Sequence, residues 1–351
     1  MDGNSGFEKP VRVVIIDDTR SIRAMIRSLL SRSPRIQVVG EAGDPYEARE
    51  LIRSLKPDVI TLDVVMPHMD GLSFLEKIMR LRPMPVVMVS TRTSEKSEEA
   101  VRALTLGAVD CVEIAALGDG NRPRVDLADT VLMAASSRPR ASSTVRPAPR
   151  TERRFNWDER FVVIGSSTGG VDALMTVLSD YPIDCPPTVI AQHMPASFLE
   201  SFTRRLNQNA QPSVVLAEHG QLLEQGKVYV APGGDRHVAL SRRSPATIEL
   251  VADDGAQQYV PAIDILFSSA VSYGDKVVGV MLTGMGRDGA DAMLRMREAG
   301  AHTIAQSAET AVVDGMPKAA RTIGAAVEVA DLQKIGKRIL DNVCRQRSAI
   351  A

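Results

Sequence analysis

A serine in a glycine-rich turn is the residue of this sequence whose setting most clearly favours chemistry. Ser167 is the centre of a segment, 165–169, that fits the pattern G-x-S-x-G. An apolar run over 161–164 precedes the segment, and apolar residues at helical spacing follow it over 171–178. A strand, a sharp turn and a helix in this order expose a serine as a nucleophile and offer helix-terminal N–H groups to an oxyanion. A phosphate loop is the alternative, but the sequence lacks Gly-Lys-Ser/Thr.

Two further polar residues follow predicted strands and can reach the same edge of a sheet. His193 ends the run 189–193, and Asp288 follows the apolar run 277–282 and a glycine-rich turn. Carboxyl ends of parallel strands share one edge, so Ser167, His193 and Asp288 can meet there despite their distance along the chain. A serine, a histidine base and an orienting acid predict acyl transfer. Two alternatives stay open: Asp288 caps the helix that follows it, or Ser166 replaces Ser167.

Carboxylates also follow strands in the first half of the chain. Asp17 and Asp18 end the first predicted strand, Asp63 ends the third, and Ser90 ends the fourth. Three carboxylates that converge on one rim form an oxygen-rich site suited to Mg²⁺. A single Asp after a strand is readily explained as a helix N-cap, but three together favour a cation site.

The elements that position these residues alternate between strand-like and helix-like patterns, which predicts two doubly wound α/β domains with mainly parallel sheets. The first half has predicted strands at 11–16, 37–40, 59–62, 86–90 and 109–114, and predicted helices at 20–32, 45–55, 72–81, 95–106 and 122–135. The second half has predicted strands at 161–165, 187–191, 213–217, 227–231, 247–251, 277–282 and 325–329, and predicted helices at 170–179, 196–207, 262–272, 288–299, 316–321 and 331–345.

A basic segment separates the halves. Residues 136–154 contain six Arg, three Pro and six Ser/Thr but a single acid, Glu152. Such a composition buries little apolar surface, so we predict an extended linker, with docking of an acidic partner as the alternative. The predicted boundaries are 1–135 for the first domain, 136–158 for the linker and 159–351 for the second domain.

Composition excludes several classes of function. The formal net charge of −1 over 351 residues creates no field that would favour nucleic acid. The sequence has no run of 18 apolar residues and no apolar signal-peptide core near its start, so we expect a cytoplasmic protein without membrane insertion. Three cysteines and five widely spaced histidines argue against disulfides and zinc, and His237 and His302 are expected to have surface or structural roles.

The first half resembles the receiver domain of two-component response regulators. The resemblance rests on the segments 15–19 and 62–71, IIDDT and LDVVMPHMDG, and covers about residues 11–135. It implies that Asp63 accepts a phosphoryl group from a histidine kinase. It also implies that Asp18, Asp63 and the Val65 carbonyl hold Mg²⁺ with assistance from Asp17, and that Ser90 hydrogen-bonds the phosphoryl group.

One departure from the receiver pattern concerns the phosphoryl signal. Receivers carry Lys-Pro after strand five, whereas this sequence has Ile114 and Ala115, and Cys111 stands at the aromatic switch position. An apolar side chain cannot make the charge-assisted bond of a lysine. The switch is therefore either weakened or rerouted, with Arg92 as a candidate substitute cation.

The second half resembles the catalytic domain of CheB methylesterases, and a receiver ahead of it is the architecture of that family. The resemblance spans nearly all of 160–347 and rests on the segments IGSSTGG, QHMP, YVAPGG, PAID, LTGMGRDGA and GMP. It implies Ser167 as nucleophile, His193 as base and Asp288 as orienting acid. The Met285 N–H would help to bind the oxyanion, and Thr168 would orient the site.

The substrate follows from the resemblance alone. It implies hydrolysis of glutamate γ-methyl esters, and deamidation of selected glutamines, on methyl-accepting chemotaxis receptors, with a chemotaxis histidine kinase as partner and no cofactor for hydrolysis. In the leading hypothesis the receiver covers the Ser167 cleft until phosphorylation loosens it. Two alternatives remain: an esterase with a non-switching receiver, controlled by partner docking, and a docking or scaffold protein.

Overall fold

The computed structural model describes residues 9–64, 66, 70–90, 94–113, 126–137, 155–242 and 246–345, without the side chains of 90 and 94–96. The chain folds as two compact units, Met1–Ser142 and Ser143–Ala351. Each unit encloses its own apolar core, whose centre is formed by fully buried strands.

The first unit is a parallel sheet with helices between its strands. Among the described residues the sheet has the strand order β2-β1-β3-β4-β5, and all of its pairs are parallel. Because the order reverses between β1 and β3, the carboxyl ends of these two strands border a crevice. The elements are β1 (Val11–Ile16), α1 (Arg20–Leu30), β2 (Ile36–Ala42), α2 (Pro45–Leu55), β3 (Val59–Asp63), α3 (Gly71–Leu81), β4 (Val86–Ser90), α4 (Ser94–Thr105), β5 (Asp110–Glu113) and α5 (Leu127–Ser136).

The second unit repeats this principle on a larger scale. Its first six elements are β6 (Phe161–Ser166), α6 (Gly170–Ser179), β7 (Thr188–Gln192), α7 (Ala196–Asn209), β8 (Ser213–Leu216) and β9 (Lys227–Val230). The next five are β10 (Arg236–Leu240), β11 (Ile248–Ala252), α8 (Ile263–Ala270), a 3-10 helix (Val271–Lys276) and β12 (Val277–Met281). The last five are α9 (Ala290–Glu298), β13 (His302–Gln306), α10 (Met316–Thr322), β14 (Glu328–Ala330) and α11 (Leu332–Asn342).

The larger sheet of this unit has the order β14-β13-β12-β6-β7-β9-β8 and is parallel throughout its described pairs. The chain enters at β6, builds outward through β7, and later returns to β12 on the other side. The carboxyl ends of β6 and β12 therefore border the crevice where open α/β sheets bind ligands. The predicted fold class, doubly wound α/β with mainly parallel sheets, is confirmed for both units.

Two strands differ from the prediction. The sequence pattern missed β10, which pairs antiparallel with β11 in a separate hairpin, and it missed β13, which is a buried strand of the main sheet. Strand β13 does not have the apolar pattern of a buried strand because it contains the polar residues Thr303 and Gln306. Both are fully buried, and their side chains are satisfied by tertiary hydrogen bonds to the Ala325 carbonyl and the Thr283 N–H.

The end of the predicted linker packs on the second unit. Trp157 forms an antiparallel bridge with Cys344, and the N–H of Phe155 donates to the carboxylate of Asp184 at 2.7 Å. Residues 138–154 lie outside the described residues, so the boundaries of the linker stay a prediction. Among the helices of the described residues, each is too short or too polar to cross a lipid bilayer.

Candidate active site

The turn that carries Ser167 is held in a tight conformation. Strand β6 ends at Ser166, and α6 begins at Gly170, whose N–H donates to the Ser167 carbonyl at 2.7 Å. Gly169 between them has φ 78°, in the left-handed region, and a Cβ there would lie 2.7 Å from the Cβ of Val312. Only glycine fits this position, so the serine stands at the sharp strand-to-helix turn that the sequence predicted.

The buried side chain of Gln192 ties this turn to the next strand. Its Nε2 donates to the carbonyls of Ser167 at 2.9 Å and His193 at 3.0 Å. Its Oε1 accepts the hydroxyl of Ser166 at 2.6 Å. Ser166 is fully buried and its hydroxyl is used in this bond, so the geometry favours Ser167 over Ser166 as the nucleophile.

Ser166 of β6 and Gln192 of β7 are paired in the sheet. Ser167 and His193 each follow one of these two residues, so they stand at matching positions beyond the strand ends. The His193 residue is held more firmly than its exposed position in sequence suggests. Its side chain is only 4 % exposed, and its Nε2 lies 2.7 Å from Oδ2 of Asp288. The other ring nitrogen, Nδ1, is buried and has no hydrogen-bond partner among the described residues. A buried nitrogen without a partner is costly, which is typical of a group that awaits a substrate or a mobile hydroxyl.

The carboxylate of Asp288 joins His193 to another helix. Oδ2 accepts the N–H of Ile263 at 2.8 Å, and Oδ1 accepts the N–H of Asp264 at 3.0 Å, so Asp288 caps α8. The geometry does not favour the alternative that Asp288 caps the helix following it, because both oxygens of its carboxylate bond N–H groups of α8 and the N-cap residue of α9 is Gly289.

The charge of Asp288 is favoured by these partners. Burial raises the pKa of its carboxyl, but the hydrogen bond and charge of His193, together with the two backbone N–H groups, outweigh burial and hold the pKa below its ordinary value. Asp288 is therefore ionised at neutral pH, as an acid that orients a histidine must be.

Met285 and Thr168 lie beside the serine. The Ser167 N–H donates to the Thr283 carbonyl, and Gly284 lies so close to the Ser167 Cβ that a side chain would not fit there. The next residue, Met285, has an N–H that makes no hydrogen bond within the described part of the chain. The Thr168 carbonyl accepts the Thr283 hydroxyl at 3.0 Å. These positions suit the oxyanion and supporting roles predicted for Met285 and Thr168, which stay predictions.

The first unit brings its three carboxylates together at the crevice between β1 and β3. One oxygen from each of Asp17, Asp18 and Asp63 lies within 4.8 Å of the others. Burial, opposed by the Thr19 N–H and reinforced by the charges of Asp63 and Asp18, raises the pKa of Asp17 to about 6. Three carboxylates this close together fit a divalent cation, which would neutralise them.

Other residues of this pocket have structural roles or lie outside the described chain. Asp70 caps α3 by accepting the Ser73 N–H at 2.6 Å, and Gly71 packs directly on the Asp63 carbonyl, where a Cβ would not fit. Ser90 ends β4 beside the end of β3. Its side chain, like Val65, Arg92, Ile114 and Ala115, lies outside the described residues.

One cation beside the pocket escaped the sequence analysis. Arg23, on α1, donates from Nη1 to the Asp17 carbonyl at 2.6 Å, and its charge lowers the pKa of Asp17 against the effect of burial. Its spacing of six residues from Asp17 follows none of the motifs named above. Its position on the first turn of the helix after β1 is the sequence signal that could have placed it near Asp17.

The sequence also missed residues around His193. Tyr259 stacks on the His193 ring, with centroids 4.1 Å apart and planes 16° apart.

The two histidines expected to have surface or structural roles both lie beside carboxylates. His237 is buried against Asp253, and His302 lies 3.3 Å from Glu328. The expectation of a structural role fits both histidines, although His237 does not lie on the surface.

A serine turn at a sheet crevice, beside a buried His–Asp pair, is typical of hydrolases that use acyl transfer, and the acidic crevice of the first unit is suited to a cation. The comparison with known families agrees. Residues 162–339 match the family model described as CheB methylesterase, and residues 13–113 match the response regulator receiver domain.

Relatives cover nearly the whole chain. A protein of Caulobacter vibrioides named protein-glutamate methylesterase/protein-glutamine glutaminase 1 is 49 % identical over 96 % of this chain and 99 % of its own length. An Agrobacterium fabrum protein of the same name without the numeral is 47 % identical over 94 % of this chain and 95 % of its own. The crystal structure of the Thermotoga maritima CheB methylesterase catalytic domain superimposes with a TM-score of 0.50, at 36 % identity, over 52 % of this chain and 98 % of that domain. The chain belongs to the CheB methylesterase family.

Proposed function

We propose that this enzyme hydrolyses glutamate γ-methyl esters, and deamidates selected glutamines, on methyl-accepting chemotaxis receptors in the cytoplasm. Ser167 is the nucleophile, His193 the base and Asp288 the orienting acid. The observation that carries the proposal is the 2.7 Å contact between His193 and Asp288, which leaves Nδ1 of the same ring buried and without a hydrogen-bond partner among the described residues. His193 follows Gln192 as Ser167 follows its register partner Ser166, so the two residues stand at matching strand-end positions.

The contact with Asp288 sets the direction of proton transfer. A carboxylate only accepts hydrogen bonds, so the neutral imidazole carries its proton on Nε2 and leaves the lone pair on Nδ1. Nδ1 takes the proton of the Ser167 hydroxyl as Oγ attacks the γ-carbonyl carbon. The resulting imidazolium is stabilised by the ionised carboxylate of Asp288.

The reaction then proceeds in two halves. In the first, the oxyanion of the tetrahedral intermediate accepts the Met285 N–H, and collapse breaks the bond to the methoxy group, which leaves as methanol with the proton from Nδ1. In the second, water gives a proton to Nδ1 and attacks the Ser167 ester. Oγ departs with that proton, and the glutamate carboxylate is released. A glutamine substrate follows the same course with ammonia as the leaving group.

We propose that Asp63 in the first unit accepts a phosphoryl group from a chemotaxis histidine kinase and thereby controls hydrolysis. The grouping of Asp17, Asp18 and Asp63 supports this assignment. Asp18 and Asp63, with the Val65 carbonyl, would hold Mg²⁺, which supplies positive charge to the phosphoryl oxygens when bound. Asp17 lies beside these ligands, and Ser90 would hydrogen-bond the phosphoryl group.

Methanol release from methylated receptor membranes tests both parts of the proposal. The full-length protein is compared with Ser167→Ala, with and without a small phosphodonor and Mg²⁺. Release that depends on Ser167 and rises with phosphodonor supports esterase and switch together. Release that depends on Ser167 but does not change with phosphodonor supports the esterase and indicates that partner docking through the Arg-rich linker controls it instead. Release no greater than that of Ser167→Ala would contradict the esterase and favour a docking protein.

A further inference from the structure

A second histidine–carboxylate pair lies buried in the catalytic unit. His237 is on β10, and Asp253 directly follows β11 of the same hairpin. Their side chains are 3 % and 5 % exposed, and His237 Nε2 lies 3.2 Å from Asp253 Oδ1. The mechanism above uses neither residue, and burying such a pair is costly unless further hydrogen bonds satisfy it.

The other ring nitrogen of His237 holds a backbone group. The N–H of Ala262 donates to Nδ1 at 3.0 Å. Nδ1 therefore acts as an acceptor, and Nε2 carries the proton that faces Asp253. Asp253 thus fixes the tautomer in which His237 can receive the Ala262 N–H.

Ala262 begins a run of backbone N–H groups that ends at the catalytic site. The first N–H groups of a helix have no partner within the helix. At the start of α8 the N–H of Ala262 goes to His237, and those of Ile263 and Asp264 go to the two oxygens of Asp288. His237 and Asp288 therefore hold neighbouring N–H groups of the same helix N-terminus.

The same segment also touches the catalytic histidine directly. Tyr259 precedes Ala262 by three residues, and its half-buried ring stacks on the imidazole of His193 at 4.1 Å. The segment 259–264 thus contacts His193 directly through the Tyr259 ring and is linked to it indirectly, because the N–H groups of Ile263 and Asp264 hold the Asp288 carboxylate that bonds His193.

We propose that His237, held by Asp253, is a positioning residue for hydrolysis, and that Tyr259 transmits this positioning to His193. The inference rests on the proposed function, because the proposed function assigns His193 as the base. His237 touches neither substrate nor reacting atoms and acts by fixing the segment 259–264. Fixing that segment limits rotation of the imidazole, so that Nδ1 stays available to the Ser167 hydroxyl. Misplacement of a reacting group by about 1 Å costs on the order of 10²-fold in rate.

Two substitutions of His237 provide a matched test in the full-length protein. His237→Leu removes the acceptor for the Ala262 N–H, whereas His237→Asn offers a carbonyl oxygen near the position of Nδ1. We expect His237→Leu to lower kcat about 10²-fold with little change in KM, and His237→Asn to recover most of the loss. Thermal unfolding establishes that the variants are folded.

Tyr259 supplies a second pair that does not disturb a buried residue. Tyr259→Leu removes the stack on His193, and Tyr259→Phe keeps it. We expect Tyr259→Leu to lower kcat about tenfold and to alter the pH profile of kcat/KM, whereas Tyr259→Phe, which keeps the ring on His193, loses much less. The KM–kcat split and the pH profile report on the base itself, which a merely structural role would leave unchanged.

The outcomes separate this inference from the function on which it rests. Loss of kcat in His237→Leu and Tyr259→Leu, with rescue in the paired variants, supports positioning. Folded Leu variants with the parent kcat and pH profile would overturn it, while inactivity of Ser167→Ala would leave the proposed triad standing. A Ser167→Ala protein that hydrolyses the ester at the parent rate would overturn the triad and the positioning role together.

Discussion

The Oδ2 atom of Asp288 accepts two hydrogen bonds at once, from Nε2 of His193 at 2.7 Å and from the N–H of Ile263 at 2.8 Å. One carboxylate therefore holds the His193 imidazole and caps a helix. Because two backbone N–H groups of the helix terminus bond its oxygens, Asp288 cannot rotate away without losing them. The site is thus preorganised by a secondary-structure element that contributes no catalytic side chain.

Asp288→Asn is expected to lower kcat about 10⁴-fold. The amide of asparagine can donate to Nε2, which moves the imidazole proton to Nδ1 and removes the lone pair that receives the Ser167 proton. Methanol release under single-turnover conditions measures the effect. Asp264→Asn on the same helix is the control, because its carboxylate faces Ser268 and Arg295 instead. Near-parent activity of Asp288→Asn would refute the role of the carboxylate.

The lowered pKa of Asp288 also predicts a pH-dependent contribution to stability. A carboxyl whose pKa is lower in the folded state than its ordinary value of 3.8 stabilises the fold above that value. The contribution is lost as pH falls through the folded pKa. The difference in unfolding free energy between the parent and Asp288→Asn should therefore hold above about pH 5 and shrink below about pH 4. Urea unfolding across this range checks it, and a difference that grows in acid would have the wrong sign.

The alternation of strands and helices could be predicted from sequence because buried parallel strands are apolar runs. Strand β13 could not, since Thr303 and Gln306 are polar and find their partners only in the folded protein. Ser167 and His193 could be placed at strand ends because their flanking glycines and apolar runs are local signals.

The surroundings of Asp288 left no such signal. Its partners are the backbone N–H groups of Ile263 and Asp264, which any residue type could supply. The stack of Tyr259 on His193 likewise depends on the path of the chain between the hairpin and α8. Residue type and spacing therefore predict which groups react, whereas the groups that would orient them emerge only from tertiary structure.

Gln192→Met tests the clamp, by which we mean the hydrogen bonds that join the Gln192 side chain to the residues at the ends of β6 and β7. The substitution keeps the length of the side chain but removes the donor to the carbonyls of Ser167 and His193 and the acceptor of the buried Ser166 hydroxyl. We expect a loss of about 1–3 kcal/mol in unfolding free energy, with a lower kcat because both residues shift. Denaturant unfolding and methanol release measure the two effects. Gln208→Met, on the exposed face of α7, should change neither, and equal behaviour of the two variants would contradict the clamp.

Asp63→Asn should abolish phosphoryl acceptance and leave basal hydrolysis intact, because the amide is a poor nucleophile and the hydrolytic residues belong to the other unit. Incorporation of labelled phosphate from a small phosphodonor with Mg²⁺ is measured beside methanol release. Asp58→Asn is the control, since Asp58 is exposed at the opposite end of β3 and bonds the Arg12 N–H. A folded Asp63→Asn protein without hydrolysis would show that the proposed division of labour is wrong.

The most direct test of the central claim compares Ser167→Ala with Ser166→Ala in methanol release from methylated receptor membranes. The two serines are neighbours, but the Ser166 hydroxyl is buried in a bond to Gln192. The account predicts that Ser167→Ala loses about 10⁴–10⁶-fold in turnover, whereas Ser166→Ala stays within about tenfold of the parent because one hydrogen bond near the site is lost. Turnover retained by Ser167→Ala, or abolished only by Ser166→Ala, would contradict the assignment of Ser167 as the nucleophile.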